Sequence, residues 1–347
     1  MTMSPAVLGW DIGGVNTKVA RLEAATDGLP VIRSACLPFE LQHDPAGLTP
    51  TLTKAARAVG GALTDLHAVT MTAELSQAFR TKREGVGFVL GALEAAFPRG
   101  RIQVYTVEGR FVAPLEARAL PLSVGAANWA ATAGLVARSV PTCILLDVGT
   151  TSADLIPIVN GQVVVRGHTD PERLLSGELV YTGALRTPAE AVAPRVPLWG
   201  GSAGVSADGF ALIGDAHLWL GRLSPEDYTC RTPDGRPPTR EFAGERLART
   251  VCADRDMLDD SAVDAIAGAL AAAQVRGLAE ALGRILGRWP VITSAVVAGL
   301  GDFIAVEAAE TVGLDVVRLA DRLGQSARTA PAAAVAWLLW HSMESSG

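Results

Sequence analysis

One phrase occurs twice in this chain of 347 residues, and the recurrence restricts its fold more than any other feature. "DIGGVNTKVARL" begins at Asp11 and "DVGTTSADLIPI" at Asp147, and each follows an apolar run. An apolar run closed by glycine reads as a buried strand, and apolar character resumes after each turn. Both phrases therefore read as strand, tight turn, strand, and together as an internal duplication.

Between and after them the chain alternates. Helical periodicity marks "LTPTLTKAARAVGGAL", "EGVGFVLGALEAAF" and "VGAANWAATAGLVAR"; "AVTMTAE" and "IQVYTVEG" read as strands. Residues 167–240 are rich in Gly, Pro and Thr, with a loop-like centre at "RTPAEAVAPRVPLWGGSAGVSADG". An amphipathic helix "SAVDAIAGALAAAQVRGLAEALGRILGRW", a strand "VITSAVVAGLGD" and a last helix around Pro331 follow. A domain change is expected near residue 137, giving an N-terminal lobe of 1–137 with 327–347 and a C-terminal lobe of 138–326.

A strand entering a tight turn exposes consecutive N–H groups, which form a nest for anions such as phosphate. In the first phrase Gly13 and Gly14 admit close approach, and Asn16, Thr17 and Lys18 add donors and charge. In the second, Gly149 does the same beside Thr150, Thr151 and Ser152. Asp11 and Asp147, at the strand ends, form an oxygen donor set suited to Mg²⁺, a metal held beside substrate phosphates. A third phrase, "VVAGLGDFIA", supplies Gly299, Gly301 and Asp302 after a strand.

Thirty-six acidic against thirty basic side chains, a net charge of -6, argue against nucleic acid or anionic membranes as partners. Cys36, Cys143, Cys230 and Cys252 lie far apart with no CxxC pair, which speaks against a zinc knuckle or a disulfide framework and fits a reducing cytoplasm. No uncharged stretch reaches the ~18 residues of a membrane span, so a soluble cytoplasmic protein is expected. The oligomeric state stays open, a homo-oligomer included.

In this order, and over nearly the whole chain, the three phrases resemble the acetate and sugar kinase, heat-shock ATPase and actin superfamily. The resemblance implies an α/β fold of two actin-like, ribonuclease H-like lobes with duplicated βββαβα cores and a central cleft. It assigns the first phosphate turn to Asp11–Lys18, the second to Asp147–Asp154, and a nucleoside-side glycine turn to Gly299–Asp302. Longer phrases, "VTMTAELSQAFRTKREGV", "AANWAATA", "GELVYTGALRTP" and "DGRPPTRE", resemble the hydantoinase/oxoprolinase-related proteins of tetrahydromethanopterin-linked C1 transfer. Their archaeal relatives are similar to an enzyme of methanofuran biosynthesis. That resemblance implies condensation of 5-(aminomethyl)-3-furanmethanol diphosphate with the phenol oxygen of γ-glutamyltyramine, releasing pyrophosphate. The turns would then hold a diphosphate leaving group.

A free phenol ionises with a pKa of about 10, so its deprotonation at pH 7 costs about 4 kcal/mol and calls for a base. Glu74, in "MTAELSQAF" at the end of an apolar strand, is the first candidate, with a helix-start glutamate as the bland alternative; Glu178 in "GELVYTG" is the second. Lys82 and Arg83 could hold the diphosphate or a glutamyl carboxylate, or form a solvated charge run. Tyr181 and Arg186 are candidates for the acceptor pocket. Competing readings are an ATP-dependent kinase or ATPase and a noncatalytic scaffold. Sugar kinases often carry an Asp base in a phrase where this chain reads "AANWAATA", with Asn128 followed by Trp129.

Overall fold

The computed structural model describes residues 6–24, 30–62 and 65–344. The chain divides into two compact units, Met1–Cys143 with Ile156–Leu175 and Leu319–Gly347, and Ile144–Leu155 with Ser176–Arg318. Ile156–Leu175 thus joins the N-terminal unit although it lies beyond residue 137. Its Arg173 guanidinium sits 4.4 Å from the centre of the Trp129 ring, which fastens the segment to the helix Asn128–Ala137.

The first sheet contains β1 (Val7–Ile12), β2 (Asn16–Ala24), β3 (Pro30–Pro38), β4 (Leu66–Met71), β5 (Arg101–Tyr105) and β6 (Phe111–Val112), in the spatial order β3-β2-β1-β4-β5-β6. β1 pairs antiparallel with β2, setting Asp11 opposite Lys18, and parallel with β4, setting Asp11 beside Thr70. Every residue of β1 and β4 is buried, which is why both read as unbroken apolar runs. Leu8, Trp10 and Ile12 share a core with the helices Leu48–Ala58 and Lys82–Ala96. On the other face the helix Ala330–Glu344 lies close against the strand, because its facing residues Ala332 and Ala336 are small. β3 has no apolar run to announce it: it is an outer strand with alternate residues exposed.

The second sheet is built from β7 (Cys143–Val148), β8 (Ala153–Val159), β9 (Gln162–Val163) and β10 (Leu179–Val180), then β13 (Ser294–Ala298) and β14 (Asp315–Arg318). Its order is β10-β8-β7-β13-β14, with β9 on β8. It repeats the plan of the first sheet: β7, like β1, stands between its hairpin partner and a parallel strand, and a second parallel strand follows. The duplicated phrases are the two central hairpins of an actin-like ATPase fold.

The stretch expected to be a loop is more ordered than its composition suggests. It holds the short helix Ala189–Val192 and a hairpin of β11 (Arg195–Leu198) and β12 (Gly201–Gly204). The hairpin turns through Trp199 and Gly200, both with positive φ, as a two-residue turn between right-twisted strands requires. The helix Asp260–Leu286 is long and apolar enough, by length and composition alone, to cross a membrane. Here it is a core helix: Asp259 caps it by accepting from the Ala262 N–H, and its buried stripe, Val263, Ile266, Ala267, Leu270, packs on the helix Ile213–Trp219.

Candidate active site

In the first unit the site grows from the C-terminal ends of two neighbouring parallel strands, β1 and β4. After β1 the chain turns at Gly13, whose N–H donates to the Asn16 carbonyl at 2.9 Å. The carbonyls of Gly14 and Val15 accept from the N–H groups of Leu41 and Phe39, which fixes both peptide planes. Lys18 reaches back across the hairpin to within 3.1 Å of Asp11 Oδ2. The other Asp11 oxygen, Oδ1, is buried and accepts no hydrogen bond among the described residues; Asn16 Oδ1 and Thr17 Oγ1 are in the same state. Orphaned buried oxygens of this kind are costly unless something else engages them.

β4 continues into Thr72, whose N–H donates to the Ile12 carbonyl at 2.9 Å, and then into the short 3-10 turn Ala73–Leu75. That backbone bond ties the start of the turn that carries Glu74 to the end of β1. Glu74 is 1% exposed, and neither carboxylate oxygen accepts a hydrogen bond among the described residues. Lys82, in the first turn of the helix that Thr81 caps, places Nζ 3.5 Å from Glu74 Oε1, an ion pair rather than a full hydrogen bond. The same ammonium donates to Asp170 Oδ2 at 2.7 Å. Burial pushes the Glu74 carboxyl up to about 7, against the opposing pull of Lys82.

Two glycines make room for this carboxylate. A Cβ on Gly85 would lie 2.5 Å from the Glu74 carbonyl oxygen, and one on Gly125 would lie 3.1 Å from Oε1. Ala126, next in chain, has φ 53, an uncommon left-handed value that its N–H bond to the Met71 carbonyl holds in place.

In the second unit the Gly149 N–H donates to the Ser152 carbonyl at 2.9 Å, the same turn as at Gly13. Asp147 is 9% exposed at the end of β7, and the Thr150 and Thr151 hydroxyls lie 3.4 Å apart. A strap, Gly183–Arg186, braces this turn: the N–H of Ala184 donates to the Gly149 carbonyl, and those of Leu185 and Arg186 to the Thr150 carbonyl. Gln274 holds the strap through the Gly183 carbonyl and the Thr182 hydroxyl, both at 2.8 Å. His217, kept neutral because burial depresses its pKa to about 4, donates from Nε2 to Gln274 Oε1. The third glycine phrase closes on the same turn, with the Gly301 N–H donating to the Val148 carbonyl at 2.8 Å.

The structure thus groups Asp11, Gly13, Gly14, Asn16, Thr17, Lys18, Glu74 and Lys82 in one unit, and Asp147, Gly149–Ser152, Gly299 and Gly301 in the other. Five residues sit otherwise than the sequence suggests. Glu178 is fully buried and lies 3.7 Å from Arg288, an ion pair that holds β10, and so is not the loop carboxylate its composition suggests. Lys82 is committed to Asp170 and Glu74, and so is not a spare clamp for diphosphate. Arg83 is exposed and donates to the Arg118 carbonyl at 3.3 Å. Tyr181, 62% exposed, and Arg186 stand at the surface beside the strap. Asp170 went unnoticed in the sequence; the only local signal is "TDPE", a helix start. Among the described residues no three His, Cys, Asp or Glu side chains are grouped to hold a metal.

The two duplicated hairpins and the sheets built around them define an actin-like ATPase fold. The family model for hydantoinase/oxoprolinase matches residues 65–341, and this chain belongs to that family. It is 34% identical over 344 residues, 99% of this chain and 100% of the relative, to the Methanocaldococcus jannaschii protein called (4-{4-[2-(gamma-L-glutamylamino)ethyl]phenoxymethyl}furan-2-yl)methanamine synthase. A Methanococcus vannielii protein of the same name is 38% identical over 116 residues, 33% of this chain and 52% of that one. Among solved structures, nucleotide-free acetone carboxylase matches at a TM-score of 0.62 with 14% identity, over 96% of this chain and 70% of that one, a likeness of fold.

Proposed function

We propose that this chain is a cytoplasmic synthase of methanofuran-type cofactor biosynthesis. It joins 5-(aminomethyl)-3-furanmethanol diphosphate to the phenol oxygen of a tyramine- or tyrosine-derived acceptor and releases pyrophosphate. The observation that carries the reading is the end-to-end similarity to the M. jannaschii synthase. Two features of the first unit support it: a buried carboxylate of raised proton affinity, Glu74, and a buried Asp11 oxygen that accepts no hydrogen bond among the described residues.

Chemically, the bond between the furfuryl carbon and the diphosphate oxygen breaks, and its electron pair leaves with pyrophosphate. The phenol oxygen bonds to that carbon and its proton passes to a Glu74 oxygen. The furan ring spreads positive charge at the reacting carbon, so departure of the diphosphate leads and deprotonation of the phenol trails. Lys18 and the Gly14 N–H, in the turn after β1, are the groups of the first unit suited to meet the charge that gathers on the leaving group. Asp11 suits Mg²⁺ because its buried Oδ1 lacks a partner and the ion takes oxygen ligands; Asp147 heads the corresponding turn of the second unit. Asp11 would hold such an ion, which would supply positive charge to offset that of the diphosphate.

A purified-protein assay with Mg²⁺ and three arms tests the reading: ATP alone, the furfuryl diphosphate with γ-glutamyltyramine, and neither. Ether with stoichiometric pyrophosphate in the second arm supports it, while ADP in the first arm and no ether in the second overturns it in favour of an ATPase or kinase. In the same assay Asp11→Asn and Asp147→Asn each lower turnover at least tenfold, which is about 1.4 kcal/mol of barrier. Unchanged rates would remove both from the mechanism.

A further inference from the structure

The Lys82 ammonium lies between two carboxylates and serves them unequally. It is 2.7 Å from Asp170 and 3.5 Å from Glu74, although Glu74 is the buried partner and an ion pair gains more in its less polar surroundings. Lys82 and Asp170 are partly exposed, so the charge is drawn outward, away from the carboxylate with no hydrogen-bonded partner. Something fixes Asp170 firmly enough to achieve this. It opens the helix Asp170–Ser176, and three residues on, Arg173, 1% exposed, lies over the face of Trp129, itself 1% exposed in the helix Asn128–Ala137. Glu172 tightens the start of the helix by accepting from the N–H groups of His168 and Thr169.

We propose that Asp170 is a positioning residue: it holds the Lys82 ammonium back from Glu74, so that Glu74 is charge-balanced yet still has both oxygens open to a proton from the acceptor. The inference rests on the reading of Glu74 as the base. Trp129 then has a use of its own in "AANWAATA", as the platform that seats the helix carrying Asp170. The remaining charged groups on these helices have other engagements, Glu94 accepting from Arg118. Arg83 bonds the Arg118 carbonyl, Glu84 accepts from the Arg80 N–H, Glu172 caps its own helix, and Arg173 lies on Trp129.

Asp170 and Lys82 act on Glu74 in opposite senses, the nearby carboxylate raising its proton affinity and the ammonium lowering it. The test is therefore a pair of pH profiles of kcat/KM, with a parallel ¹³C NMR titration of the Glu74 carboxyl in protein without substrate. Asp170→Asn releases Lys82 to Glu74 and removes a like charge, so the acid limb and the carboxyl titration move to lower pH by about one unit, a tenfold change in proton affinity. Lys82→Gln moves both to higher pH, and Asp170→Glu restores the wild-type limb. A limb and a titration that Asp170→Asn leaves in place, or shifts of the same sign in both variants, overturn the proposal. Should Glu74→Gln keep the wild-type rate, the base reading fails separately, and the carboxyl titration alone decides: opposed shifts support the positioning role and an unmoved titration overturns it.

Discussion

Glu74→Gln lowers kcat about a hundredfold or more, the usual worth of a placed general base, and leaves the KM for the diphosphate nearly unchanged. The wild-type rate rises with pH through about 7, because burial raises Glu74 to that value and only the carboxylate accepts a proton. The variant loses this limb. Its stability should change in the other direction. A carboxyl whose folded pKa lies above its unfolded value favours folding at low pH, and that contribution is lost as pH rises from 4.5 through about 7. Gln has no charge to bury. Between pH 5 and 8 the wild type therefore loses on the order of 2–3 kcal/mol that the variant keeps. Urea midpoints at the two pH values, read beside kcat, check both halves; a variant slower and no more stable at pH 8 argues against a strained catalytic carboxylate.

Gly299→Ala has the largest expected effect on the second unit. Gly299 has φ +93, a left-handed value an L side chain rarely adopts, and an added Cβ would stand 2.3 Å from the Val148 carbonyl oxygen and 2.5 Å from Asp147 Oδ1. The first neighbour is backbone of β7 and cannot yield, so the Asp147 carboxylate must swing aside. Strain and overpacking together cost about 3 kcal/mol or more, and displacement of Asp147 removes most turnover. Denaturant melting and the pyrophosphate assay measure the two losses, and an unchanged midpoint would show that the close approach of β13 to β7 is not required.

What the sequence makes legible depends on whether the cause is local. The two central hairpins show because a fully buried strand ending in glycine leaves an unbroken apolar run, and Glu74 shows because it ends such a run. The half-exposed β3 and the four-residue strands of the Trp199 hairpin leave none, so their order is set by pairing that no short window contains. Glu178 looks like a loop carboxylate until Arg288, more than a hundred residues later, is found against it. Asp170 is a helix-start residue by composition; it gains its place only when the chain brings it to Lys82, 88 residues away. The strand ends that carry Asp11, Glu74 and Asp147 are readable in this chain, and the side chains that pack against them are not.

In the proposed reaction carbon, not phosphorus, is transferred to the phenol. Acceptor carrying ¹⁸O in its phenol hydroxyl, incubated with furfuryl diphosphate, Mg²⁺ and the protein, tests it in one mass spectrum. An ether that keeps the full label, with pyrophosphate that carries none, is the expected result. Label bridging an aryl phosphate, with furanmethanol or its monophosphate as co-product, would contradict it.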